Sequence, residues 1–291
     1  MEIGSYTRKP DWLKIKIRTD EGFKKTNSLM TKQKLHTVCE EARCPNIYEC
    51  WSRKTATIMI LGDVCTRACK FCNVKTGKPT FVDEAEPYRV AEAVREMGLK
   101  HVVITSVDRD DIKNDFGARI WSRTIRQIRK NTSNCSIEVL TPDFQGIVSA
   151  LETVFNSHPD IFSHNIECVE RVSRKVRSQS NWSRSKDVLK LSVNNGLVTK
   201  TGMMVGLGET DNEVLETMKE IVDLGVQIFN IGQYLQPSKK HITVDRFVHP
   251  DVFNYYKAEG KKMGFKVVES GPLVRSSYHA DEQAKQLSLV V

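Results

Sequence analysis

No run of apolar residues in this chain approaches the roughly 18–20 that a membrane span requires. The opening residues, Met1 to Pro10, hold no apolar core of the kind a secretory leader carries. No internal repeat and no low-complexity segment is visible, and no dense basic tract is interleaved with aromatics, which disfavours nucleic acid as a partner. A small secreted disulfide framework is also excluded, because 8 cysteines are spread over 291 residues. What remains is an intracellular globular chain, expected in the cytoplasm, built as one large α/β domain or two small ones. Its hydrophobic content of 40% is enough for a sizeable core, and its net charge of +8 suits an acidic partner. Arg119, Arg123, Arg126, Arg129 and Lys130 read as the solvated face of one helix.

The cysteines are not evenly spread. Cys65-Thr66-Arg67-Ala68-Cys69-Lys70-Phe71-Cys72 sets three thiols at C-x3-C-x2-C spacing, directly after the strand-like run Thr57-Ile58-Met59-Ile60-Leu61-Gly62. Three thiolates on one short loop can hold three irons of a [4Fe–4S] cube, leaving the fourth iron open to a small molecule. Zinc prefers four ligands in paired sets, and no matching pair lies nearby downstream. A second set, Cys39, Cys44 and Cys50, has C-x4-C-x5-C spacing. It too is short of a ligand, so a fourth comes from elsewhere or the site stays open. Cys135 and Cys168 have no close thiol neighbour, and plain burial is expected for both. The Cys65 loop resembles the cluster loop of the radical S-adenosylmethionine (SAM) enzymes at every defining position. That resemblance implies an open iron that chelates the amino and carboxylate groups of SAM.

From Thr55 onward, strand-like and helix-like segments alternate. Apolar runs fall at 57–61, 102–104, 137–140, 161–166, 203–207 and 226–231. They are near-continuous rather than alternating, as strands covered on both faces should be. Between them, Pro87 opens a helix that Gly98 ends, and a second helix carries Ile120, Trp121, Ile125 and Ile128. A third runs from Asp211 to about Leu224, with Thr210 and Glu213 placed to form a capping box. Repeated βα units give parallel strands with right-handed crossovers. About six units predict an α/β fold, a partial (β/α)6 TIM-like barrel of the radical SAM type. Residues 1–54 would be an N-terminal extension carrying the second thiol set, 55–272 the barrel, and 273–291 a C-terminal tail. Barrel chemistry sits at the carboxyl ends of strands. There the sequence has the Cys65 loop, Thr105 to Asp111, Asn165 and Glu167, Gly206 to Glu209, and Gln233 to Ser238.

An ordered set of short segments carries a narrower resemblance. It includes Arg43-Cys44-Pro45-Asn46, Glu49-Cys50-Trp51, Gly62-Asp63-Val64-Cys65-Thr66-Arg67 and Thr105-Ser106-Val107-Asp108-Arg109-Asp110-Asp111. It continues through His164-Asn165-Ile166-Glu167 and Tyr234-Leu235-Gln236-Pro237-Ser238 to Arg275-Ser276-Ser277-Tyr278. Across nearly the whole chain this resembles the lipoyl synthase family. The resemblance implies insertion of two sulfur atoms, at C6 and C8, into an octanoyl chain on a lysine of a carrier protein. That carrier would be a lipoyl domain of a 2-oxoacid dehydrogenase or a glycine cleavage H protein. Two [4Fe–4S] clusters and SAM are implied. The Cys65/Cys69/Cys72 cluster would cleave SAM to a 5′-deoxyadenosyl radical, and the Cys39/Cys44/Cys50 cluster would donate its own sulfide. The family's fourth auxiliary ligand, a serine of the R-S-S-Y motif, maps to Ser277. Phe71 would pack on the SAM adenine, Asn165 and Glu167 would reach its ribose, Arg177 its carboxylate, and Ser106 would line the same site. An electron donor such as ferredoxin or flavodoxin and an iron–sulfur carrier complete the expected partners.

The chain departs from the family pattern in places. Glu170 and Ser178 stand where proline is common, and the glycines usual before the position of Phe116 are missing. Two other readings stay open at this stage: a radical SAM methylthiotransferase acting on RNA or a ribosomal protein, and an iron–sulfur electron carrier. Ser277 also has an alternative role, as the cap of a helix beginning near Ala280.

Overall fold

The computed structural model describes residues 9–15, 17, 19–53 and 55–289. The first eight residues of the N-terminal extension, read above for a secretory core, lie outside them. Among the described residues no helix is long and apolar enough to cross a membrane.

The extension contributes helix α1 (Glu21–Lys32), the short strand β1 (His36–Thr37), and two short helices, α2 (Val38–Glu41) and α3 (Ile47–Ser52). Strand β2 (Thr57–Ile60) then enters the sheet, and the Cys65 loop follows with its own two-strand ribbon, β3 (Val64–Cys65) and β4 (Lys75–Thr76). Regular alternation comes next: α4 (Glu86–Met97), β5 (His101–Ser106), α5 (Ala118–Asn131), β6 (Ser136–Leu140), α6 (Val148–Phe155) and β7 (Ile161–Ser163). The second half runs α7 (Glu170–Val176), α8 (Trp182–Asn194), β8 (Val198–Val205), α9 (Asp211–Asp223), β9 (Ile228–Gln233), α10 (Pro250–Met263), β10 (Val267–Gly271) and α11 (Ala280–Gln286).

The main sheet has the order β1-β2-β5-β6-β7-β8-β9-β10. Every neighbouring pair is parallel except β1 with β2. Six of its strands are the expected ones. The seventh parallel strand, β10, and the antiparallel β1 extend the two edges beyond the expected count.

Local signals account for the helices. Thr210 and Glu213 form the reciprocal capping box of α9. Gly98, with φ +63°, closes α4 in the left-handed conformation that glycine adopts without strain. On α5, Ile120, Trp121, Ile125 and Ile128 are buried against the sheet, as their spacing predicts. Each such side chain contributes roughly 1.5–3 kcal/mol on burial. Of its basic face, Arg119 and Arg123 pair with Glu84, and Arg129 pairs with Asp160.

Two strand limits differ from expectation, each for a physical reason. β8 begins at Val198 because its polar start, Thr199-Lys200-Thr201, is buried and satisfied. Lys200 Nζ reaches Glu138 Oε1 at 2.8 Å, and Thr201 donates to the His164 carbonyl at 2.7 Å. β7 stops at Ser163. Beyond it Glu167 takes φ +67° and touches β8 only through an isolated bridge to Met203. That break aims Asn165 and Glu167 toward the strand ends.

The sheet curls enough for its first and later strands to meet one segment. Thr57 of β2 bonds Ser277, Asn230 of β9 bonds the Ser276 carbonyl, and Asn165 after β7 bonds the Ser276 hydroxyl. The tail therefore enters the concave side of the open barrel between its two edges.

Candidate active site

The Cys65 loop leaves β2 through two left-handed residues, Leu61 at φ +67° and Gly62 at φ +88°. β3 and β4 pair in parallel and fold the loop back on itself. Its far side is tied to distant elements: Lys70 N–H donates to the Val176 carbonyl, Ala68 N–H to Gln179, and His241 Nε2 contacts the Cys72 carbonyl at 3.0 Å. Its near side is held by Arg67, whose buried guanidinium meets Asp110 at 2.8 Å, Asp143 at 2.6 Å and Asp108 at 3.2 Å. A buried cation is tolerable only with such pairing. Arg67 thus fastens the thiol loop to the segment after β5. Burial pushes the Asp108 carboxyl up to about 6, against the pull of Arg67.

The second thiol set is carried by α2, α3 and the turn between them. Thr37 caps α2 through the Glu40 amide, and Cys44 N–H donates to the Cys39 carbonyl at 2.9 Å. Trp51 is buried beside Cys39 and packs α3 on Phe23 of α1, their ring centroids 5.2 Å apart. The tail is drawn to this set from the other end of the chain. Asn46 donates to the Leu273 carbonyl at 2.7 Å, and Tyr278 and His279 both contact Glu49.

One cavity of about 720 Å³ is lined by both sets: Cys65, Cys69 and Cys72 on one wall, and Cys39 and Cys44 with Ser277 on another. A smaller recess of about 40 Å³ lies under Cys39, Cys44, Cys50 and Ser277. Burial above all pushes every one of these thiols up: Cys39 and Cys50 to about 12, Cys65 and Cys72 to about 11, and Cys44 and Cys69 in the same direction. Neighbouring thiols add to this within each set, Cys39 and Cys44 on Cys50, and Cys72 and Cys65 on Cys69. Mutually close, desolvated thiols resist ionisation until a cation compensates them, which is what iron supplies. Arg275 is the opposing charge felt by Cys44. Among the described residues no three His, Cys, Asp or Glu side chains close around a single metal ion. The thiols line a cavity instead, and each set has room for a fourth partner. The donor set fits two iron–sulfur cubes.

The other expected residues line the same cavity. Phe71, Ser106, Asn165, Glu167 and Arg177 all face it. Ser106 donates to the Val107 carbonyl, and Glu167 is pushed up by burial despite Arg177. Arg177 is buried and directs its donors to Ser173, Ser185 and the Asn165 carbonyl. Asn165 gives its amide to Ser276 at 2.7 Å, while its Oδ1 is buried without a protein partner. Ser277 does not cap α11: the cap position is His279, and no side-chain cap bond forms there. Cys135 and Cys168 are buried and stand apart from both sets.

The tail-positioning roles of Thr57, Asn230, Gly232 and Asn46 had no part in the sequence reading. Thr57 and Asn230 stood inside the apolar runs 57–61 and 226–231, and Asn46 inside a segment that carries the family resemblance; Gly232 gave no local signal.

Comparison with known proteins agrees with this geometry. Residues 59–221 match the family model described as the radical SAM superfamily, and residues 1–44 match the N-terminal domain of lipoyl synthase of the radical SAM family. The chain is 53% identical over 288 residues to a lipoyl synthase of Shouchella clausii, covering 98% of this chain and 93% of that protein. It is 51% identical over 280 residues to one of Parabacteroides distasonis, covering 96% and 99%. Among solved structures, Streptococcus suis SuiB bound to S-adenosylmethionine aligns at TM-score 0.60 with 10% identity, over 78% of this chain and 55% of that one. HydG, a maturase of the [FeFe]-hydrogenase, aligns at TM-score 0.55 with 15% identity, over 94% and 61%. These two likenesses concern the fold.

Proposed function

The chain belongs to the lipoyl synthase family of radical SAM enzymes, and from that membership we propose how its residues divide the work. The enzyme inserts two sulfur atoms, at C6 and C8, into an octanoyl chain held on a lysine of a lipoyl-carrier protein. It works with SAM and two [4Fe–4S] clusters. The observation that carries the assignment of residues is the cavity lined by Cys65, Cys69 and Cys72 together with Cys39, Cys44 and Ser277, the last three of which share the adjoining recess with Cys50. When bound, the first cluster with SAM supplies a radical able to take hydrogen from an unactivated methylene, and the second supplies sulfur.

In this reading Cys65, Cys69 and Cys72 hold the first cluster, and Cys39, Cys44, Cys50 and Ser277 hold the second. Phe71, Ser106, Asn165, Glu167 and Arg177 orient SAM. Arg67, through Asp108, Asp110 and Asp143, keeps the first thiol loop in place. Asn165 and Asn230 hold the tail so that Ser277 faces the second thiol set. An alkoxide is a hard partner for iron beside three thiolates and leaves readily as a cluster breaks up. Residues 1–54 and 273–291 act together as the second cluster's housing, and 55–272 as the catalytic barrel. The carrier is a lipoyl domain of a 2-oxoacid dehydrogenase or a glycine cleavage H protein. A ferredoxin or flavodoxin provides electrons and an iron–sulfur carrier restores the second cluster, in the cytoplasm.

The test is an anaerobic assay of the reconstituted protein with an octanoyl-lysine peptide. Two cubes per chain, SAM cleavage that depends on the peptide, and a product heavier by two sulfur atoms are expected. Cleavage of SAM without any sulfur-bearing peptide would overturn the assignment.

A further inference from the structure

Thr57 is the first residue of β2 and is buried, with its side chain on the concave side of the sheet. Its hydroxyl donates to Ser277 Oγ at 2.6 Å, a short contact between residues 220 positions apart. Thr57 lines the same small recess as Cys39, Cys44, Cys50 and Ser277. Two positions earlier, Thr55 shares that alternation and bonds the Cys50 carbonyl at 2.9 Å. The start of β2 is therefore a floor beneath the second thiol set, and Thr57 shares that recess with residues from each end of the chain. We infer that Thr57 is a positioning residue for the Ser277 oxygen, fixing its orientation toward the second thiol set. The inference rests on the reading of Ser277 as the fourth ligand.

A hydrogen bond from a fixed donor holds its acceptor at one distance and in one orientation. Thr57 is paired with Val103 of β5, so its hydroxyl is fixed by the sheet, while Ser277 arrives on a tail segment outside the sheet. The strand supplies the geometry that the tail lacks. The same hydrogen bond would hold the Ser277 hydroxyl in reach of the second thiol set whether or not a cluster is bound. The competing account is that two hydroxyls merely satisfy one another in the lumen.

The experiment is a ferrous-chelator challenge of the anaerobically reconstituted holoenzyme, with iron loss from each cluster followed by Mössbauer spectroscopy and melting temperature as the control for folding. Ser277→Ala is the reference. Thr57→Val is expected to lose iron from the second cluster about two- to tenfold faster than the parent, the range a single hydrogen bond is worth. Thr57→Ser should keep the parental rate. In a Ser277→Ala background, Thr57→Val should add nothing. If Thr57→Val does not fold, Thr57→Ala takes its place. Parental iron loss in Thr57→Val, with fast loss in Ser277→Ala, overturns the role of Thr57 and leaves the ligand intact. Parental loss in Ser277→Ala overturns the ligand reading itself. Effects that add in the double variant assign Thr57 a packing role only.

Discussion

A β-carbon at Gly232 would stand 2.0 Å from the carbonyl oxygen of Val274. The tail crosses β9 at this point, and only a residue without a side chain lets it through. The next residue along the tail, Arg275, begins the segment that ends on Ser277. Gly232 is thus the passage by which the segment carrying Ser277 enters the barrel.

Gly232→Ala tests that passage. The clash is with backbone, so the tail must move, at a cost of about 1–3 kcal/mol for overpacking. The barrel is expected to fold with a modestly lowered melting temperature. Iron content should fall toward one cube per chain, and SAM cleavage should continue without carbon–sulfur bond formation. Two cubes and normal product would show that the tail reaches its site by another route.

The two thiol sets are separable. Cys69→Ala should abolish SAM cleavage, whereas Cys44→Ala should retain some cleavage and form no carbon–sulfur bond. Quantifying 5′-deoxyadenosine and product by mass spectrometry checks this. Deoxyadenosine at the parental rate from Cys69→Ala would reverse the assignment of the sets.

Ser277→Ala should still bind a cube at the first site and cleave SAM, but yield little or no lipoyl product. Ser277→Cys should hold the second cube more firmly, because a fourth thiolate releases iron less readily, and so should also be slow in sulfur insertion. A merely structural serine would lose about 0.5–2 kcal/mol of stability on truncation and leave the chemistry intact. Full product yield from folded Ser277→Ala would refute the ligand role.

His164 makes stability depend on pH. Burial lowers its titration from 6.5 to about 4, while Asp143 and the Thr141 carbonyl oppose the shift. Its ring is held between the Thr141 carbonyl at 2.9 Å and Ser185 Oγ at 3.1 Å. Between these two values the unfolded chain binds the proton and the native protein does not. Stability from this group is therefore intact above pH 6.5 and falls as pH drops toward 4, approaching about 1.4 kcal/mol per pH unit. His164→Asn should be less stable than the parent at pH 7.5, with the gap narrowing at pH 5 in guanidinium unfolding of the apoprotein. A gap that stays constant across that range would rule out this titration.

Much of the site was legible because its thiols lie close together in sequence. Cys65, Cys69 and Cys72 share one loop, and Cys39, Cys44 and Cys50 share one short stretch. The strands carrying the site also announced themselves, since a parallel strand covered on both faces reads as a continuous apolar run. Where a strand was mostly polar the signal failed: Thr199-Lys200-Thr201 belongs to β8 only because Glu138, Ser192 and His164 satisfy it. β1 is two residues long, too short for any periodicity.

The sequence by itself determined the chemistry: which thiols form sets, the order of βα units, and the caps that end α4 and α9. All of these depend on residues within a few positions of one another, where spacing and backbone preference act directly. Only the tertiary structure decided that the tail passes over Gly232, that Asn165 and Asn230 hold Ser276, and that Thr57 lies under Ser277. The hydrogen bonds among those contacts join residues from 46 to 220 positions apart. They form because a parallel sheet must curl to bury its concave side, and that curl alone brings the two ends of the chain to one cavity.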